Sequence, residues 1–119
     1  ISYLVDLAGI FPFHLVMSQR VTSQLQEYKI PPLGDFDPEL GAAWFIPREV
    51  IVKKTRKGKD FYIVRAIDDT SKATVIKVWG VDPRTDVIHT NRPYMARLDY
   101  SEQWGFSTRS VRYGWKLIG

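Results

Sequence analysis

The sequence predicts a mainly β protein: a five-stranded barrel with a short helix between the third and fourth strands, preceded by an N-terminal helical segment. Three observations carry this. Before residue 30, apolar side chains recur at helical spacing. A tract rich in Pro, Gly and Asp follows, "IPPLGDFDPELGAAWFIP". From Ala42 onward the apolar runs are short, rich in β-branched and aromatic residues, and divided by polar turns.

The elements follow in order. "SYLVDLAGIF" places Leu4, Leu7 and Ala8 on one helical face, with Gly9 as a stop, and Pro12 then breaks the pattern. Ser18 is a good N-cap for "SQRVTSQLQEYK", where Val21, Leu25 and Tyr28 form one stripe. These features divide the chain into a helical segment and linker, 1–41, and a barrel, 42–119. "AWFIPREVIVKK" holds the first strand, with Pro47 near its start or at a bulge. "KGKDFYIVRAID" and "KATVIKVWGV" are the second and third, joined by the turn "DDTSK". "DPRTDVIHT" suits a short helix, with Asp82 as N-cap and Pro83 at the first helical position. "PYMARLDYS" is the fourth strand, "EQWGF" a loop, and "STRSVRYGWKLI" the fifth strand.

Composition narrows the function classes. Among 119 residues there are 17 Lys and Arg against 13 Asp and Glu, a net +4 that leans toward a polyanionic partner. With no cysteine, disulfides and thiolate metal sites are excluded. No apolar run approaches the ~20 residues of a membrane span, and the start lacks the basic flank of a signal peptide. The first residue is Ile1, so a segment of a longer protein is expected.

Alternation assigns the faces of the central hairpin. An unpaired arginine inside a small barrel is costly, so Arg65 puts Phe61 and Ile63 outward, and Tyr62, Val64 and Ala66 inward. By the same argument Lys77 puts Val75 and Trp79 outward, and Thr74, Ile76 and Val78 inward. The outer face is then a large apolar patch with two cations in its middle, the kind of surface that marks an interaction site.

The stretch "KGKDFYIVRAIDDTSKATVIKVWG" has a basic or Gly turn, a strand ending in Asp, a short polar turn, and a strand ending in an aromatic. This pattern resembles the core of the oligonucleotide/oligosaccharide-binding (OB) fold, in the branch shared by anticodon-binding domains and single-strand-binding proteins. "YLVDLAGIF" followed by "SQRVTSQL" is similar to the helical approach to the OB module of bacterial or phage C-family replicative DNA polymerase α-subunits. One departure is the "TSK" turn, where the family usually has Gly; it leaves the strand-three register near Asp68–Lys72 open by one residue.

The resemblance implies a noncatalytic module that binds single-stranded DNA or RNA, an accessory domain beside other domains of a parent replication protein, cytoplasmic and with no membrane partner. Bases would stack on Phe61, Trp79, Trp104 and Phe106. Phosphates would meet Lys53, Lys54, Arg56, Lys57, Lys59, Arg65 and Lys77, with Arg109 and Arg112 following the last loop. The same residues admit another use. Trp79 fits as a barrel plug, Trp104 and Phe106 as a satellite core on the linker, and the Phe61 patch as a seat for the N-terminal helices or for a protein partner in a larger assembly.

No catalytic, metal or cofactor site is expected. His14 and His89 lack ligand spacing. Asp68 and Asp69 are adjacent and suit a turn better than a shared metal. Asp99 and Glu102 stand without a partner motif, and there is no Gly-rich phosphate loop. Chemistry in a parent enzyme would lie outside this segment.

Overall fold

A computed structural model describes residues 18–69, 73–109 and 111–118, with the backbone alone at 112 and 113. The first predicted helix, His14, residues 70–72 of the "DDTSK" turn and the Arg112 side chain lie outside the described residues.

Helix α1, Gln19–Tyr28, is capped by Ser18, whose Oγ accepts from the Val21 amide at 3.3 Å. It ends at Lys29 in the left-handed conformation, φ 56°. Val21 and Leu25 are buried against Trp44, Ile46, Ile67 and Ile118. Tyr28 does not join that stripe. It sits in the last turn, half exposed, with Lys116 Nζ 5.4 Å from its ring centroid.

The tract after α1 is tied to the sheet at several points. The Trp44 amide donates to the Pro31 carbonyl at 2.9 Å, and Leu33 enters the main core. The Gly34 amide donates to Asp68 Oδ2 at 2.7 Å. A Cβ at Gly34 would also stand 2.7 Å from that oxygen, so a side chain there would force the pair apart. Asp68 is thus a buried anchor for a segment 34 residues away, not only a local turn residue.

Among the described residues, seven strands form one sheet: β1 Ala42–Lys54, β2 Asp60–Ile67, β3 Thr74–Val78, β4 Tyr94–Arg97, β5 Asp99–Ser101, β6 Gly105–Thr108 and β7 Trp115–Leu117. Their order is β5-β6-β3-β2-β1-β4-β7. Three hairpin-connected strands and a fourth that returns beside the first make a Greek key. β4 and β5 are separated only by Leu98, yet one pairs with β1 and the other with β6. The sheet therefore curls round into a barrel-like shape. The first half of β1 pairs with β4 and the second half with β2. A register shift falls between Pro47 and Glu49, where a residue without an N–H leaves the ladder intact.

The curl explains the burial pattern. Residues 43–47 are buried on both faces. Ala43 and Phe45 point into the main core, while Trp44 and Ile46 lie under α1. Tyr62, Val64, Ala66, Ile76, Val78, Tyr94, Leu98 and Trp115 complete the main core. The two buried tyrosine hydroxyls are satisfied. Tyr62 donates to the Asp86 carbonyl at 2.6 Å, and Tyr94 accepts from the His89 amide at 2.9 Å. Burial first, then the nearby Asp86, Asp82 and Asp60 carboxylates, push the Tyr62 hydroxyl above its ordinary pKa. It remains a donor at neutral pH.

Three expectations are corrected. The strand count is seven rather than five: "PYMARLDYS" divides at Leu98, which turns inward as the segment changes partners, and β6 and β7 replace the predicted fifth strand. The "EQWGF" loop is in part a strand: β6 begins at Gly105, φ 76°, and runs parallel to β3. The predicted fifth strand is accordingly broken up: the end of β6, the short helix α2 Val111–Gly114, and β7. The helix expected between the third and fourth strands is only a turn at Pro83–Thr85. Asp82 does accept from the Arg84 amide, but the Asp86 carboxylate folds back onto the Asp82 amide at 2.8 Å. The Asp86 carbonyl is taken by Tyr62, and Ile88 is drawn into the core before a second turn forms.

Candidate nucleic-acid interface

The outer face of β2 and β3 has the alternation the cations dictate: Tyr62, Val64, Ala66, Ile76 and Val78 are buried, while Arg65, Val75 and Trp79 are exposed. Tyr62 pairs with Val78, which brings the next residues, Phe61 and Trp79, side by side. Their ring centroids lie 4.7 Å apart with the planes tilted by 30°. Trp79 is fixed by its amide, which donates to the Thr108 carbonyl at 2.8 Å, yet it keeps 37% of its surface exposed.

A second aromatic stands across the face. Trp104, in the β5–β6 turn, is 67% exposed. Its position is set by Ser101 Oγ, which accepts from the Gln103 and Trp104 amides at 3.2 and 3.4 Å. Lys77 Nζ lies 5.9 Å from the Trp104 ring centroid. Between Trp79 and Trp104 is an open cleft of ≈ 320 Å³ that Lys77, Asp99 and Ser107 also line. Asp99 in addition borders a wider groove of ≈ 650 Å³, where Arg97 and Arg109 stand.

The basic turn adjoins this cluster. Lys53 pairs with Phe61 and so shares the outer face. Arg56, Lys57 and Lys59 are exposed in the turn between β1 and β2, closed by Gly58 at φ 79°. Lys54 bridges to Asp60 at 3.1 Å.

Two residues from the sequence reading stand apart. Arg65 is four residues along β2 from Phe61, about 13 Å, and faces Glu49 at 3.8 Å in an exposed pair worth little to stability. Phe106 points inward. It is opposite Ile76 in register and packs edge-on against Phe36 at 5.1 Å, both rings lying against the main core rather than in a separate satellite core. Trp104 does not share that packing.

Sequence reasoning passed over Arg97, Ser101 and Ser107, and left Asp99 without a role. The "DYS…GFS" alternation is their signal, but it becomes readable only once β5 and β6 are known to be a hairpin. Among the described residues no three His, Asp or Glu side chains cluster to hold a metal ion, and no helix is long and apolar enough to cross a membrane. The arrangement can stack planar rings and attract anions. Comparison with protein-family models, curated proteins and solved structures returns no match.

Proposed function

We propose that this chain is a noncatalytic module that binds single-stranded nucleic acid across the outer face of β2 and β3. The observation that carries the reading is the Phe61–Trp79 stack, whose partly exposed Trp79 lines one open cleft with Trp104 and Lys77, beside a basic turn. Stacked bases are worth about 1–3 kcal/mol each, and cations beside them follow the backbone.

The chain path supports an OB-type barrel. With β4 and β5 taken as one interrupted strand, the ring runs β1-β2-β3-β6-β5/β4 and back to β1. The cluster then occupies the strand-two and strand-three face and the flanking loops, the ligand surface of that fold. A place as an accessory domain of a replication protein extends the same resemblance.

A salt titration tests the proposal. Tryptophan fluorescence should be quenched saturably by a short single-stranded oligonucleotide, and log K should fall by about 0.7 per phosphate neutralised for each unit of log salt. One observation favours docking of a protein instead: on the same face Ile51 pairs with Ile63, and the exposed Val75 lies diagonal to Ile63, beside Arg65. That reading gives no oligonucleotide quenching at low salt, and a salt-insensitive association with a protein partner.

A further inference from the structure

The cleft between Trp79 and Trp104 has polar ends of opposite charge. Asp99 pairs with Ser107 on one side, and Ser107 pairs with Lys77 on the other. All three therefore project to the outer face from neighbouring strands. Two strand spacings, about 10 Å, separate the Lys77 and Asp99 backbones. Ser107, Gly105 and Ser101, all small, line the cleft between the two aromatic walls, which leaves room for a flat ring. Asp99 has no ion-pair or hydrogen-bond partner among the described residues. Its exposed carboxylate oxygens are open to N–H donors that enter the cleft.

We infer that this cleft selects guanine. The inference rests on the proposed strand-binding reading. Guanine alone among the common bases offers two adjacent donors, N1–H and N2–H, that a carboxylate can accept together. Its O6 and N7 acceptors form the adjoining edge, where the Lys77 ammonium can reach them. Adenine, cytosine and thymine each set a ring nitrogen or carbonyl acceptor beside their donor, and Asp99 repels it. Trp79 and Trp104 provide the aromatic walls, and base edges of unpaired strands are free to be read this way.

Fluorescence anisotropy decides it, with a labelled thymidine oligonucleotide carrying one central deoxyguanosine, deoxyadenosine, deoxycytidine or deoxyinosine. The deoxyguanosine strand should bind on the order of tenfold tighter than the deoxyadenosine or deoxycytidine strands. Deoxyinosine, which lacks the N2 amine, should fall between. Asp99→Asn should erase the preference, bringing the deoxyguanosine strand to the affinity of the deoxyadenosine strand. Equal affinity for all the strands, or a guanine preference that survives Asp99→Asn, overturns guanine selection and leaves strand binding standing. Binding to none of them overturns both.

Discussion

Phe45→Ala is expected to lower the free energy of unfolding by about 3–5 kcal/mol. Phe45 is fully buried, and its ring meets Trp115 edge-on at 4.9 Å. It sits on the half of β1 that pairs with β4 while α1 covers the other face, so the surroundings have little freedom to close the cavity. Since a domain of this size has a total stability of only about 5–15 kcal/mol, the variant should be marginal. Phe61→Ala is the control. Phe61 has the same chemistry on the outer face of the same barrel, and its truncation should cost about 1 kcal/mol. Urea denaturation of both variants measures the difference, and equal losses would contradict the inward and outward assignment.

The second large effect is on binding. Trp79→Ala should weaken affinity for a single-stranded oligonucleotide by about 1–3 kcal/mol, roughly 5- to 150-fold, through loss of one stacked base. Trp79 follows the last residue of β3 and is partly exposed, so its removal should cost about 1 kcal/mol of stability, as for its stacking partner Phe61. Separating these readouts matters. A barrel plug would lose stability as Phe45→Ala does, about 3–5 kcal/mol, whereas a stacking platform loses binding with only that small cost to the fold. Trp104→Ala should behave alike, with a still smaller effect on the fold because the ring is mostly in solvent.

How much of this was legible in the sequence depended on whether the cause was local. Arg65 and Lys77 revealed the outer face because an unpaired charge in a small core is prohibitive, and that argument needs only strand alternation. Ser18 gave the start of α1 for a similar reason, since its hydroxyl satisfies an orphan amide three residues on. The partner change at Leu98 has no local signal. Its alternation continues unbroken, and only the curl of the sheet places β1 beside one half of the segment and β6 beside the other.

The inward turn of Phe106 has the same origin. Its face is fixed by parallel pairing with Ile76, thirty residues earlier, and not by its neighbours. The turn at Pro83–Thr85 looked like a helix start and began as one, but a tyrosine from β2 claimed the carbonyl beyond it. Asp68 likewise read as a turn residue because its partner, the Gly34 amide, lies across the linker. Within the candidate site, the aromatic and basic members were visible as residue types. Their neighbours Asp99, Ser101 and Ser107 were not, because small and acidic residues acquire a role only from the cleft around them.

The central claim is that one face of the barrel, and no other, receives a nucleic-acid strand. The most direct measurement is an amide NMR titration of the chain with a short single-stranded oligonucleotide. Saturating shifts should concentrate at Phe61, Lys77, Trp79 and residues 99–107, with the indole signals of Trp79 and Trp104 moving most. No shifts at low salt, or shifts confined to α1 and the surface around Gln26 and Lys29, would contradict the account.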